Sequence, residues 1–161
     1  MSELRVGIGV DAHAFEDGVS LRLAGVELES PRGLAGHSDG DVITHALIDA
    51  LLGPAGLGDI GAMFPAGEPQ WEGALSLDLL RRAYAAVWTQ GWELVNADCV
   101  LVGEEPRIAE HREEMRNALA GALEVDWHRV SVRATTTDKL GFTGRGEGLA
   151  AQAVALLRQR G

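Results

Sequence analysis

The chain has 161 residues, of which 46% are hydrophobic and 24% charged, and we expect residues 1–161 to form a single domain. Its 14 basic and 24 acidic residues give a net charge of −10, which argues against nucleic acid or an anionic membrane as a partner. The lone cysteine excludes an internal disulfide, no apolar run approaches the roughly 18 residues of a membrane span, and the N-terminus does not resemble a signal peptide. We therefore expect a cytoplasmic protein.

The chain opens with the pattern of a β-strand followed by a hairpin. Residues 4–10 alternate apolar and small side chains, as a strand does, and they lead into Asp11 and His13, which then share one face. Two short apolar segments at 20–23 and 26–29 are separated by an alanine and a glycine. This spacing predicts a hairpin.

A polar segment precedes the first predicted helix. Apolar residues recur at helical spacing from Val42, and the pattern stops near Gly53. The segment in front, 37–41, contains a histidine, a serine and two aspartates, and Ser38 or Asp39 is expected to cap the helix. The exposed N–H groups of such a helix start would also attract phosphate.

The second half of the chain predicts three more helices and two strands. Their bounds are 76–89, 106–125 and 149–160 for the helices and 93–102 and 130–137 for the strands. Helices and strands do not alternate strictly in the first half of the chain. The order therefore favours an α+β fold with helices packed on one face of a β-sheet over a doubly wound parallel sheet.

Three side chains form a candidate metal site. Asp11 and His13 lie two residues apart on a strand, and His45 lies one turn beyond Asp41 in the first helix. Two histidines and one carboxylate are a ligand set for a catalytic zinc with an open position, and the same set could hold ferrous iron. A helix cap or an ordinary satisfied polar pair is the alternative interpretation of Asp11 and His13.

A second polar region lies near the C-terminus. Thr135, Thr136 and Thr137 close a strand and are followed by Asp138 and the only lysine of the chain, although threonines facing water on a strand are the alternative interpretation. The glycines and the arginine of 141–148, ahead of the predicted last helix, would suit an anion-binding nest. The segment is not a Walker loop, because no lysine followed by serine or threonine closes it.

Three long motifs carry a resemblance to a known family. They are GxDxHxF at 9–15, HSDGDVxxHALxDALLGxxGLGDIGxxFP at 37–65, and ATTTDKLGFTGRGEGLA at 134–150. In this order, nearly end to end, the chain resembles the 2-C-methyl-D-erythritol 2,4-cyclodiphosphate synthase family. The resemblance implies a sheet with helices on one face and a homotrimer whose active sites lie between neighbouring subunits.

The resemblance also implies roles for individual residues. Asp11, His13 and His45 match zinc ligands, Asp138 the ligand of a Mg²⁺ or Mn²⁺ ion, and His37 and Thr136 the positions that stabilise the transition state. The implied substrate-binding residues are Asp11, His13, His37, Ser38, Asp59, Ile60, Gly61, Phe64, Pro65, Ala66, Gly67, Glu68, Gly103, Pro106, Arg107, Ile108, Ala109, Ala134, Thr135, Thr136, Thr137, Asp138, Phe142 and Arg145.

The implied reaction is an intramolecular phosphoryl transfer. The 2-phosphate of 4-diphosphocytidyl-2-C-methyl-D-erythritol 2-phosphate would attack the β-phosphorus of its diphosphate, which expels CMP and closes a cyclic diphosphate. Three positions depart from the family's usual pattern: Ala66 in a loop that is commonly acidic, Arg107 where lysine is frequent, and Asp138 where glutamate is usual. A metal-dependent phosphoester hydrolase and a non-catalytic trimeric ligand-binding protein are the alternative functions.

Overall fold

The structure, a computed structural model, describes residues 1–161 and has the expected α+β architecture. The strands are β1 (Leu4–Asp17), β2 (Leu21–Leu23), β3 (Val26–Leu28), β4 (Arg32–Leu34), β5 (Trp92–Val102), β6 (Val130–Thr135) and β7 (Gly148–Gln159). The α-helices are α1 (Val42–Leu52), α2 (Ile60–Met63), α3 (Ser76–Thr89), α4 (Arg112–Leu123) and α5 (Gly141–Gly144). None of these helices combines the length and the apolar composition that a membrane crossing requires.

Five strands form one sheet in the order β4-β1-β7-β5-β6, and β2 and β3 form a separate hairpin. All neighbours in the large sheet are antiparallel except β5 and β6, which are parallel. The predicted hairpin is confirmed, and both residues of its turn, Ala24 and Gly25, have positive φ. Two such residues in a two-residue loop match the right-handed twist of the paired strands.

The predicted C-terminal helix over 149–160 is wrong, because this segment is strand β7 at the centre of the sheet. Its alanines and leucines favour a helix as an isolated sequence. The buried positions nevertheless alternate, with Ala151, Ala153, Ala155 and Leu157 facing the core and Val154 exposed on the other face. Pairing with β1 on one side and β5 on the other satisfies every hydrogen-bonding position of the segment's centre, and this tertiary context outweighs helix propensity.

Two other element bounds differ from the predictions. The helix predicted over 106–125 begins only at Arg112, after a single 3₁₀ turn at Ala109–His111, and the residues around Pro106 form a loop. The strand predicted over 130–137 ends at Thr135. In both cases the residues left outside the regular elements lie beside the same surface cavity, described below.

The helices cover one face of the sheet. Helix α1 is buried along nearly its whole length and packs against β1 and β7, with α3 beside it. On the opposite face of β1, Val6, Ile8 and Val10 are 71%, 61% and 63% exposed. A strand with this alternation has one face in the core and one apolar face without a partner in the same chain.

Glycine at positions 7 and 9 allows α1 to approach β1 closely. A Cβ atom at Gly7 would lie 2.0 Å from the carbonyl oxygen of Ala50, and one at Gly9 would lie 1.8 Å from that of Ala46. Both distances are far below a van der Waals contact. The pair of glycines thus serves helix packing, and it places His45 beside the β1 residues that follow on the same face, Asp11 and His13.

Asp41, not Ser38 or Asp39, caps α1. Its carboxylate accepts hydrogen bonds from the backbone N–H and the hydroxyl of Thr44, and also from the backbone N–H groups of Ala24 and Gly25 in the hairpin turn. Asp41 is fully buried, and this burial raises the pKa of its carboxyl. The cap therefore joins the hairpin to the start of α1.

Candidate functional site

The fold brings together the three predicted metal ligands. Asp11 and His13 project from the same face of β1, and His45 reaches them from α1. Asp11 Oδ2 lies 2.8 Å from His13 Nε2 and 3.2 Å from His45 Nδ1, and the two nitrogens are 3.3 Å apart. This is the only group of three or more such side chains that converges in the chain.

The donor atoms fit a tetrahedral zinc ion. Ligands at the usual zinc bond lengths of about 2.0–2.1 Å lie about 3.3 Å from one another at the corners of a tetrahedron. The three separations between Asp11, His13 and His45 fall at or slightly below this value. Three protein ligands leave a fourth position open for a substrate atom, as in catalytic zinc sites.

The charges of the triad favour the ligand form of Asp11. Burial opposes ionisation of this carboxyl, but the contacts with His13 and His45, and the charges of these rings when they are protonated, outweigh burial and lower the pKa of Asp11 to about 2. The hydrogen bond to Asp11 raises the pKa of His13. Asp11 is therefore a carboxylate, the form that binds metals, at every pH near neutrality.

The second nitrogen of His45 faces two hydroxyl groups. His45 Nε2 lies 2.8 Å from Ser76 Oγ and 3.0 Å from Ser38 Oγ. Ser76 Oγ in turn donates to Asp39 Oδ1, and Ser76 N donates to Asp39 Oδ2 at 2.9 Å. The predicted contact residue Ser38 thus lies at the metal triad, whereas Asp39 and Ser76 were not predicted as site residues.

The other predicted residues on this side lie in the loop that surrounds α2. Asp59 caps α2 by accepting from Ala62 N at 2.8 Å, and Ile60 N donates to Asp49 of α1 at 2.7 Å. Phe64 is buried against Trp71, with ring centroids 5.0 Å apart. The remaining predicted residues of this loop are Gly61, Pro65, Ala66, Gly67 and Glu68, of which Gly61, Ala66 and Gly67 are exposed. The buried anchors hold an accessible loop beside α1.

His37 lies between this loop and the triad segment. Its ring Nε2 is 3.4 Å from the backbone oxygen of Glu68, and its own backbone oxygen accepts from Gly73 N at 2.9 Å. The side chain therefore faces the accessible loop, while Ser38, the next residue, faces His45.

A cavity of about 750 Å³ collects the predicted residues from the second half of the chain. Those that line it are Gly103, Pro106, Arg107, Ile108, Ala109, Ala134, Thr135, Thr136 and Arg145. All of them except Arg145, which follows α5, come from the loop after β5 and the end of β6. These two strands run parallel, so both segments emerge at the same edge of the sheet. A volume of this size suits a nucleotide-sized ligand.

The cavity is basic although the chain is acidic. Five cationic side chains line it, against two glutamates, Glu104 and Glu105. The cations are Arg32, Arg107, Arg112, Lys139 and Arg145. Arg32, Arg112 and Lys139 were not predicted as site residues. Arg32 lies 4.1 Å over the Phe15 ring and donates to Gly146 O, contacts that depend on a short strand, β4, for which the sequence carries no clear pattern.

Thr137, Asp138 and Phe142 lie beside this cavity but do not line it. The Thr137 hydroxyl donates to Leu140 O at 2.6 Å, and Asp138 is exposed with a positive φ of 52°. The glycine-rich segment that follows leads into β7 instead of the predicted last helix, and its residues Gly144, Arg145 and Gly146 line the basic cavity. Asp138 is the one predicted metal ligand outside the triad, and it belongs to no cluster of three or more histidine, cysteine or carboxylate side chains in the chain.

No residue of the metal triad lines the basic cavity. The predicted residues therefore fall into two groups within one chain: the triad with the α2 loop, and the cavity at the ends of β5 and β6.

Comparisons with known proteins agree on one family. The model of the YgbB family matches residues 4–158. A Rubrobacter xylanophilus protein named 2-C-methyl-D-erythritol 2,4-cyclodiphosphate synthase is 57% identical, over 99% of this chain and 98% of its own. A solved structure of a synthase with that name, in a form bound to CDP, has a TM-score of 0.87 and 38% identity, over 95% of this chain and 99% of its own.

A larger protein contains the same fold. The structure of the bifunctional IspDF from Campylobacter jejuni matches with a TM-score of 0.95 and 42% identity over 99% of this chain, which spans 43% of that protein. Since the family model covers almost all residues and the relatives exceed 50% identity at nearly full length, the chain belongs to the YgbB family.

Proposed function

We propose that this chain converts 4-diphosphocytidyl-2-C-methyl-D-erythritol 2-phosphate into 2-C-methyl-D-erythritol 2,4-cyclodiphosphate and CMP, in the non-mevalonate route to isoprenoid precursors. The observation that carries this proposal is the convergence of Asp11, His13 and His45 at distances that suit zinc, in a chain whose relatives carry the synthase name. The CDP-bound form of a similar structure supports a cytidine nucleotide as ligand.

The residues that would hold metal ions fall in both groups. A zinc ion held by Asp11, His13 and His45 would act as a Lewis acid on a phosphate oxygen, and a Mg²⁺ or Mn²⁺ ion held with Asp138 would add positive charge at the diphosphate. A phosphate dianion is already a nucleophile, so the chain need not provide a general base. What it must provide is alignment of two anionic groups that repel each other.

The side chains around the reacting phosphates would supply donors. His37 and Thr136 carry the N–H and O–H groups that we assign to stabilisation of the transition state, where a donor placed at developing charge acts more strongly than in water. The α2 loop, with Asp59 as its cap and Phe64 as its buried anchor, would enclose the erythritol part of the substrate. Arg145 and Phe142 would contact the substrate from the other side.

The basic cavity would bind the cytidine diphosphate moiety. The loop from Gly103 to Ala109 and the end of β6 offer backbone groups to a base and ribose, and Arg107 and Lys139 add positive charge. This local excess of cations over Glu104 and Glu105 opposes the overall charge of −10. A polyanionic ligand can therefore bind an acidic protein here.

We propose a homotrimer in which the triad of one subunit faces the cavity of its neighbour. Two observations support this assembly: the two groups of residues are separate within one chain, and β1 exposes an apolar face at Val6, Ile8 and Val10. An apolar face of this kind is typical of an interface between subunits. Each subunit would be one domain over residues 1–161, active in the cytoplasm without a nucleic-acid or membrane partner.

Product identification tests this function. Purified protein with zinc and magnesium is incubated with the proposed substrate, and the phosphorus spectrum of the product is recorded. We expect CMP and the cyclic diphosphate in equal amounts. Release of CMP together with a linear bisphosphate would instead establish a hydrolase, and zinc retention without turnover would favour the ligand-binding alternative.

A further inference from the structure

The imidazole of His45 lies between two hydrogen-bonding partners that compete for its single proton. Its Nδ1 faces Asp11 Oδ2 at 3.2 Å, and its Nε2 faces Ser76 Oγ at 2.8 Å. We propose that Ser76, oriented by Asp39, is a positioning residue that keeps this proton on Nε2 and leaves the Nδ1 lone pair free for the metal. The inference rests on the metal site of the proposed function.

The direction of the hydrogen bonds follows from counting protons. A serine hydroxyl has one proton and two acceptor lone pairs, whereas a carboxylate only accepts. Because Ser76 Oγ is bonded to Asp39 Oδ1, the Ser76 proton goes to that carboxylate. Ser76 Oγ can then only accept from His45, so His45 Nε2 must be the protonated nitrogen.

Asp39 is held firmly enough to impose this direction. Its Oδ2 accepts from Ser76 N at 2.9 Å, and its Oδ1 also accepts from Asp41 N at 3.1 Å. Ser76 is the first residue of α3, and the apolar side chain of the preceding Leu75 cannot accept a capping hydrogen bond. The Asp39 carboxylate takes that place, where the helix dipole favours a negative charge.

Burial removes the competition of water. Ser76 is completely buried, so no solvent molecule replaces either partner of its hydroxyl. Without the Ser76 contact, the nearby Asp11 carboxylate would draw the His45 proton to Nδ1, which is the nitrogen that must be bare to bind a metal. Ser38 Oγ also faces Nε2, but no carboxylate accepts from its hydroxyl, so Ser38 does not determine the direction.

Zinc affinity tests the inference without a measurement of activity. Competition with a chromophoric chelator is used to compare the intact protein with Ser76→Ala, and Ser38→Ala is the matched control because it removes the other hydroxyl at the same nitrogen. We expect zinc binding about 10–100-fold weaker in Ser76→Ala, the range typical for groups that orient metal ligands, and a smaller change in Ser38→Ala. Equal affinity of Ser76→Ala and the intact protein would overturn the inference.

The tautomer itself gives a readout that a purely structural role would not change. Long-range ¹⁵N–¹H correlation spectra of the metal-free protein, recorded in mildly alkaline buffer, report which nitrogen of His45 carries the proton. We expect Nε2 in the intact protein and a shift of population to Nδ1 in Ser76→Ala. A proton found on Nδ1 in the intact protein contradicts the inference even if the variant does not fold.

A double-mutant cycle tests whether Asp39 acts through Ser76. Asp39→Asn alone should weaken zinc binding, and adding it to Ser76→Ala should weaken it no further. Full additivity of the two losses would show that Asp39 does not act through the serine. If the intact protein retains no zinc at all, the metal site of the proposed function fails together with this inference. If the intact protein binds zinc but Ser76→Ala binds it equally well, only the inference about Ser76 fails.

Discussion

Gly9 and Ala46 meet where β1 and α1 cross, and a Cβ at Gly9 would lie 1.8 Å from the Ala46 carbonyl oxygen. The obstructing atom belongs to the helix backbone, so no side-chain rotation could make room for a methyl group. Both elements carry a candidate metal ligand next to this contact. His45 precedes Ala46 in α1, and Asp11 is the next residue after Gly9 on the same face of β1. The packing distance between strand and helix therefore sets the distance between metal ligands.

Gly9→Ala should damage both stability and the metal site. We expect a loss of about 3 kcal/mol in the free energy of unfolding, the upper part of the usual range for overpacking, and zinc binding weakened about tenfold or more because His45 moves away from Asp11. Chemical denaturation and chelator competition measure the two effects. Gly121→Ala is the control, since a Cβ there meets nothing within 4 Å inside α4.

Gly121→Ala should stabilise the protein by about 0.5–1 kcal/mol, because alanine has the higher helix propensity. Equal effects of the two substitutions would mean that the crossing of β1 and α1 tolerates a methyl group, which contradicts the packing argument.

Asp41→Ala should destabilise the protein more than the loss of an ordinary helix cap. Its buried carboxylate accepts from Ala24 N at 2.8 Å, from Gly25 N at 2.7 Å, and from both donors of Thr44. We expect a loss of about 3–5 kcal/mol, since the cap accounts for about 1 kcal/mol and each orphaned buried donor costs about 1–3 kcal/mol. Thermal and urea denaturation give the value.

Asp59→Ala is the matched control for this cap. Asp59 caps α2 in the same way but is exposed, so water can replace its carboxylate and we expect a loss of only about 0.5–1 kcal/mol. A loss at Asp41 no larger than the loss at Asp59 would show that the link between hairpin and helix is unimportant for stability.

Local patterns in the sequence predict most of the fold, and they fail where partners distant in sequence decide. Helix α3 has the predicted bounds, 76–89, because its amphipathic pattern and its length suffice. The segment 149–160 has a composition that suits a helix, and only its pairing with β1 and β5 makes it a strand. The residues after the end of β6 and before the start of α4 line one cavity, and no local pattern reports this meeting of segments distant in sequence.

The same distinction applies to the site. The spacing of Asp11 and His13 on one strand is visible in the sequence, and a metal role could be predicted from it together with His45. The contact of Asp39 with Ser76 joins residues 37 positions apart, and no local pattern reports it. Arg32 enters the basic cavity on a three-residue strand that is too short to show alternation.

Metal removal should abolish turnover, and restoration should need zinc. Treatment with a chelator followed by dialysis is expected to remove both activity and bound zinc, and zinc added together with magnesium should restore activity.

His45→Ala should retain no stoichiometric zinc in metal analysis. His128→Ala is the control because His128 is exposed and does not belong to the triad, so this variant should bind zinc as the intact protein does. Full activity of demonstrably metal-free protein would contradict the proposed chemistry.

Ile8→Glu should dissociate the proposed trimer. Ile8 is 61% exposed in one chain, and its pairing partner on β7, Val154, is 42% exposed on the same apolar face. A carboxylate placed between subunits would lose its hydration without gaining a partner, so we expect monomers in analytical ultracentrifugation and loss of turnover, because the triad and the basic cavity would no longer meet. Trp127→Glu provides the comparison: this tryptophan is 57% exposed but lies outside the apolar face, in the turn before β6, and its variant should remain trimeric and active. An Ile8→Glu protein that stays trimeric, or an intact protein that is active as a monomer, would exclude this face as the subunit interface.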